Sequence, residues 1–287
     1  MATLKSVATS SRELISEYEG KTAVYLEGES DVALFQNYWF MDRLNKLKFV
    51  EPDEGNGCSG VLQEVAHYRK TTGLPAFGII DRDKLVADEK WELVWETDDA
   101  AFSEAKPYGE HIRVTRRWEL ESYLVHAEAA EEHISACNKG RACRPREAVE
   151  AEFLQHAEAL IPHAAMNSAR RFHGEGELGD GATSKFVDRS EVEAWFDGDH
   201  QANKISVGIW ETYSEHLPKV EAFGSSATPS DKLKALLRRV NGKALIHRIK
   251  KQHGLKDDPI FIFAKTMASK GDIPRELTDY IDQFCRS

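Results

Sequence analysis

Cysteine is scarce in this chain, and long apolar runs and a phosphate-binding Walker loop are missing from it. Its 287 residues hold four cysteines, Cys58, Cys137, Cys143 and Cys285. Their irregular spacing gives no disulfide framework, so they read as reduced thiols. His133 and Cys137 are one helical turn apart, but the paired short C-x-x-C spacings of structural zinc sites are missing, which argues against zinc at His133, Cys137 and Cys143. No run of about 18 apolar residues occurs, which excludes an ordinary membrane-spanning helix. Met1 to Arg12 carries no apolar signal core, so the expectation is a cytoplasmic protein with no membrane partner. Thr183-Ser184-Lys185 runs in the wrong order for a Walker motif, and neither repeats nor coiled-coil heptads are visible.

Positive charge is also scarce overall, with 38 Lys and Arg against 48 Asp and Glu, a net of -10. That balance excludes a uniformly basic nucleic-acid coat, yet the charge is unevenly spread. Residues 231–256 hold nine Lys or Arg against one acid, a net of +8 that leaves -18 elsewhere. A focused basic strip can hold a phosphate backbone, and its candidate contacts are Arg238, Arg239, Lys243, Arg248, Lys250 and Lys251. Leu233, Leu236, Leu237, Val240, Leu245, Ile246 and Ile249 equally suit the core side of an amphipathic helix. The acidic remainder is compatible with docking on a basic partner.

What is present is a pair of short apolar runs that end in carboxylates. Ala23-Val24-Tyr25-Leu26 runs into Glu27-Gly28-Glu29-Ser30-Asp31, and Phe77-Gly78-Ile79-Ile80 runs into Asp81-Arg82-Asp83. Near-continuous apolar runs mark buried parallel strands, whose carboxyl ends are where open α/β sheets bind ligands. If the third strand carries on through Asp81 and Asp83, both side chains leave on one face, separated by roughly 6.5 Å. Two charges at that distance repel by about 2.5 kcal/mol at an effective dielectric near 20, which a divalent cation reverses. Oxygen-only ligands suit Mg²⁺ or Mn²⁺. The bland alternative is a solvated Asp-Arg-Asp turn that caps the next element. Glu27 closes its strand, Gly28 is expected to make a tight turn, and Ser30 to cap the following helix. Glu29 is most simply a first-turn acid that favours the helix dipole.

These motifs resemble the TOPRIM domain, in which a Glu-Gly pair follows the first strand and an Asp-x-Asp a later one. Arg116-Arg117-Trp118-Glu119-Leu120-Glu121-Ser122-Tyr123-Leu124 is similar to the Glu-x-Tyr-Leu signature of a branch related to the effector half of OLD-family nucleases, which includes toxin effectors of PARIS anti-phage systems. The motifs span roughly residues 20 to 130. The resemblance implies a metal-dependent endonuclease. Glu27, Asp81, Asp83 and Glu121 would hold Mg²⁺ or Mn²⁺, Glu27 alternatively serving as general acid/base, with Asp31 in support. Glu121 is preferred to Glu119 because residues two apart on a helix do not share a face. Lys243, in Asn241-Gly242-Lys243, resembles a late Gly-Lys element that neutralises the scissile phosphate. The resemblance further implies transfer RNA as substrate, an ABC-type ATPase subunit as partner, and dimerisation of the active form. DNA nicking of the OLD kind and a non-catalytic nucleic-acid or partner-binding module are the alternatives.

The expected fold class is α/β, a TOPRIM-like, mostly parallel sheet flanked by helices, with a C-terminal helical lobe. Strands are predicted at 22–26, 47–50, 76–80 and 111–115, and helices at 10–18 (with a Ser10…Glu13 capping box), 30–45 and 60–70. A further helix should carry Glu121 onward to about Cys137. The domains read as 1–138, with an insertion near 84–106, and 139–287, which carries the strip at 231–256. The second lobe reads as helices at 145–160, 190–196, 207–217 and 229–253, with a glycine-rich, mobile loop at 173–184. Gly55-Asn56-Gly57-Cys58-Ser59-Gly60 fits G-x-G-x-x-G between a strand and a helix, and Asp81 lies downstream. A Rossmann dinucleotide enzyme is therefore the rival reading, although it leaves Glu27 and Asp83 unexplained.

Overall fold

The computed structural model describes residues 20–53, 57–137, 144–226 and 228–286. The helix expected at 10–18, together with Gly55, Asn56 and Cys143, lies outside the described residues. The two most apolar segments form the middle of a sheet. Strands β1 (Thr22–Tyr25) and β3 (Ala76–Ile80) are buried at every position, whereas β2 (Leu47–Val50) and β4 (Ile112–Val114) alternate between buried and half-buried residues. Continuous apolar runs belong in the interior of a sheet, alternating ones at its edges. The order is accordingly β2-β1-β3-β4, and all pairs are parallel. Val24 lies opposite both Phe49 and Phe77, and Ile79 opposite Arg113.

The chain is thus α/β, with helices flanking a four-stranded parallel sheet and a helical C-terminal region. Its contacts divide it into two compact units that are discontinuous in sequence. The sheet unit comprises 1–81, 103–115 and 264–287, and the helical unit 82–102 and 116–263. A simple cut at residue 139 therefore does not describe the compact units, because the C-terminal helix returns to the sheet. Within the sheet unit, the ring of Phe284 stacks on Phe77 at 4.3 Å, and Tyr280 donates to the Val114 carbonyl at 3.3 Å. Gly78 lets the helix α2 (Gly57–Thr72) lie close against β3, since a Cβ there would meet a Val61 methyl at 2.6 Å.

Several helices differ from expectation. The segment predicted at 30–45 is a short helix α1 (Glu29–Leu34), then a wider turn at Phe35–Trp39 and a 3₁₀ turn at Met41–Arg43. Gly28, not Ser30, stands at its N-cap, with extended dihedrals (φ -160°) that any residue can adopt, so no tight turn is needed there. In the helical unit, α7 (Arg146–Phe172) continues through Pro162, and α9 (Val207–Phe223) through Pro218. Pro162 and its neighbours Leu160, Ile161 and Ala165 are buried, and that burial outweighs the hydrogen bond a proline removes. The stretch read as one helix over 229–253 is two, α10 (Pro229–Leu236) and α11 (Gly242–His253), the second capped by the Asn241 side chain, which accepts from the Ala244 N–H. The glycine-rich loop is fastened at several points. Asn167 exchanges two hydrogen bonds with the Leu178 backbone, and Arg248 donates to the Thr183 carbonyl.

Candidate active site

In a parallel sheet of order β2-β1-β3-β4 the chain leaves β1 toward one side and β3 toward the other. The crevice at the carboxyl ends of those two strands is the topological switch point, where such sheets bind ligands. Glu27 follows β1 and Asp81 follows β3. Glu27 Oε1 accepts the Asp81 backbone N–H at 2.7 Å and a hydrogen bond from Cys58 Sγ at 2.7 Å. Cys58 is in the first turn of α2, so the carboxylate sits at the positive end of that helix. Gly57 (φ +70°) opens the helix, and a Cβ there would lie 3.7 Å from Glu27 Oε2. The position that a Rossmann reading reserves for a pyrophosphate is therefore taken by the chain's own carboxylate. Asp31 is half-buried in the first turn of α1, its N–H donating to the Gly28 carbonyl.

Asp83 does not extend β3. The strand stops at Ile80, and Asp83 adopts helical dihedrals (φ -58°, ψ -28°) before the short helix α3 (Lys84–Ala87). The same-face geometry expected for Asp81 and Asp83 is thus replaced by a turn, which exposes Asp83 and buries Arg82. The reason is the guanidinium. Arg82 donates to the carbonyls of Arg116, Leu93, Val94 and Glu96 and lies over the Phe102 ring at 4.2 Å, tying down the tryptophan-rich insertion. A charged residue between two aspartates reads as solvated, and nothing local in the sequence signals this burial.

The helical unit assembles a second cluster. Leu120–Leu124 is a 3₁₀ turn separate from the helix α6 (Ala127–Cys137), and Glu119 precedes it in extended conformation. The helical argument that only one of Glu119 and Glu121 points inward therefore does not apply. Glu119 Oε1 accepts the Lys243 backbone N–H at 2.7 Å, while Glu121 Oε1 lies 3.6 Å from Lys243 Nζ. Gly242 makes this approach possible: a Cβ there would fall 2.3 Å from Ser122 Cα. Only glycine fits between the two backbones.

The basic strip is not a uniform surface. Arg239 and Arg248 are buried, and Arg238 pairs with Asp99 at 2.8 Å, whereas Lys243 and Lys251 are exposed and Lys250 is half-buried. Two of the six expected phosphate contacts thus serve the interior, which corrects the picture of one continuous strip. Among the described residues, Cys137 Sγ lies 3.9 Å from His133 Nδ1, and no group of three or more His, Cys, Asp or Glu side chains is arranged to hold a metal ion.

No family model, curated protein or solved structure matches the chain.

The donor chemistry must therefore speak for itself. The carboxylates at the sheet's edge are oxygen donors, and the Cys58 thiol stands beside Glu27 Oε1 at 2.7 Å. No helix among the described residues is long and apolar enough to cross a membrane.

Proposed function

We propose that the chain is a metal-dependent phosphodiesterase of the TOPRIM type that cleaves nucleic acid, with transfer RNA as the substrate class. The observation that carries this reading is the pairing of Glu27 with Asp81 at the switch point of a parallel sheet, held by the 2.7 Å hydrogen bond between them. Glu27 and Asp81 are the oxygen donors of the sheet unit that would hold Mg²⁺ or Mn²⁺, and the resemblance names Asp83 and Glu121 of the helical unit as further ligands. A bound divalent ion supplies Lewis-acid stabilisation of charge on the phosphate oxygens. Glu27 keeps its orientation through Asp81 and Cys58 and is the candidate general acid/base. Lys243 offsets negative charge on the scissile phosphate, and Glu119 fixes the backbone from which that lysine projects. Lys250 and Lys251 extend the phosphate-binding surface. The same reading includes control by an ATPase subunit, action as an anti-phage toxin and dimerisation when active. A dinucleotide oxidoreductase is disfavoured by the carboxylate at the N-terminus of α2.

The test is incubation of the purified chain, alone and co-expressed with an ABC-type ATPase subunit, with total cellular RNA and with plasmid DNA. Both are run in Mg²⁺, Mn²⁺ and EDTA beside Glu27→Ala. Cleavage that needs the metal and falls by at least about 100-fold in the variant is expected, in keeping with loss of a group acting directly on the reaction. Cleavage of DNA alone would redirect the reading to OLD-like nicking. Cleavage unchanged by Glu27→Ala or by EDTA would overturn it.

A further inference from the structure

Arg239 is 1 % exposed, in the chain between α10 and α11, and its guanidinium is held between two indoles, 4.7 Å from the Trp95 ring centre and 4.4 Å from that of Trp118. Nη2 donates to Ser168 Oγ at 2.6 Å, and that hydroxyl is itself committed to the Ala164 carbonyl. Nε and Nη1 are buried without a protein acceptor. A guanidinium carries five N–H donors and does not lose its proton in proteins, so these groups need an acceptor that no described residue supplies. Burial, reinforced by the like charge of Arg82 and opposed by Glu177, depresses the pKa of Arg239 well below the ordinary arginine value.

Arg239 also lines a cavity of about 40 Å³ in the helical unit, together with Trp118, His163, Asn167, Ser168 and Asn241. That volume accommodates about three water molecules or one tetrahedral oxyanion. One carboxylate, Glu177, also lines it and attracts the Arg239 charge, but Glu177 is itself paired with Arg171 Nε at 2.8 Å and its side chain is 40 % exposed. We propose that this cavity is an oxyanion site, in which Arg239, steered by Trp95, Trp118 and Ser168, binds inorganic phosphate or the phosphate of a small monoester. The guanidinium fork matches such an oxyanion with two parallel charge-assisted hydrogen bonds, and the indole clamp fixes its plane in advance. The cavity shares no residue with the Glu27–Asp81 pair, and the inference does not rest on the nuclease reading.

Calorimetric titration of the full chain with inorganic phosphate, in a phosphate-free and sulfate-free buffer, tests it. Adenosine monophosphate and adenosine serve as further arms, and sodium chloride of equal ionic strength as control. Saturable binding of phosphate with Kd around 1 mM or tighter is expected, a range ordinary for a single small-anion pocket. Chloride and adenosine should give no saturable heat. Tighter binding of the monophosphate than of phosphate would identify a monoester as the natural ligand, and binding of phosphate alone would identify the free ion. Arg239→Met should weaken the binding at least about tenfold, as expected for loss of a charge-assisted pair, while its melting temperature without phosphate stays at or above that of the parent. Ser168→Ala, which keeps the cation and removes its anchor, should weaken binding a few-fold. No saturable binding by the parent up to about 20 mM phosphate, roughly 2.4 kcal/mol of affinity, would overturn the proposal, as would full binding by either variant.

Discussion

Arg82 and Arg239 are equally buried in the helical unit, yet the regions around them are built on opposite plans. The segment around Arg82 surrounds the guanidinium with four backbone carbonyls from Leu93, Val94, Glu96 and Arg116 that accept from it together. Around Arg239 stand two indoles, one hydroxyl and a cavity. One arginine is a structural fastening and the other a charge held ready. The difference teaches that burial of a cation does not by itself reveal its purpose; the acceptors it meets do.

The largest expected effect breaks that comparison directly. Arg82→Met should destabilise the chain by roughly 3–5 kcal/mol, because several buried carbonyls lose their donor together. Arg239→Met should fall within about 1 kcal/mol of the parent or stabilise it, since an uncompensated charge is removed. Denaturant unfolding at neutral pH in phosphate-free buffer checks both, and equal losses in the two variants would erase the distinction.

Gly242→Ala comes next, with about 3 kcal/mol lost as the 2.3 Å approach to Ser122 Cα is forced apart. Gly28→Ala, at an extended glycine with open space around it, should cost less than about 0.5 kcal/mol. Thermal melting of the pair would separate a glycine required by packing from one that is merely present.

A third effect tests how the helical unit tolerates charge. His216 is buried among Trp91, Trp95 and Phe172, and burial, with Lys219, Arg239 and His173 adding like charge, pulls its pKa from the ordinary 6.5 down to about 4. The unfolded chain therefore binds the extra proton between pH 6.5 and 4 while the folded chain refuses it. Stability is fully present above pH 6.5 and drains away as the pH falls through that window, by about 3 kcal/mol from this one group. His216→Phe should flatten the slope of unfolding free energy against pH, and an unchanged slope would show that His216 is already charged when folded.

The smallest effect concerns Lys243, whose side chain is 63 % exposed and 3.6 Å from Glu121. Lys243→Met should change stability by less than about 1 kcal/mol, as for other exposed ion pairs. Under the proposed function the same substitution should nevertheless slow cleavage about tenfold or more, because the lysine's charge is directed at substrate. A parallel loss of stability and activity would assign Lys243 to the fold.

Much of the sheet was legible because strand burial is written locally. The runs Thr22–Tyr25 and Ala76–Ile80 are buried throughout, and β2 and β3 lie over their predicted residues. Glu27 and Asp81 followed as the residues that end those runs. Helix ends were less legible. Pro162 and Pro218 read as stops because a proline removes a backbone donor, but the buried faces of α7 and α9 extend past them, to Ala169 and Phe223. Asn241 and Gly242 carry capping and close-approach signals inside a stretch of helical periodicity, and the periodicity alone hid the break. Asp83 was misplaced for a related reason: the destination of Arg82, not the alternation of a strand, sets the turn it belongs to.

By itself, then, the sequence determined which segments are strands, that the sheet is parallel, and which acids stand at its carboxyl edge, since each depends on residues within a few positions of one another. Only the tertiary structure decided which glutamates meet Lys243, which arginines turn inward and where a cavity opens. Glu119 and Lys243 are 124 positions apart, and Arg239 and Ser168 are 71 apart. A side chain's partner at such separations is fixed by how helices pack, and helix packing depends on the shape of whole buried faces, which no local pattern of residues contains.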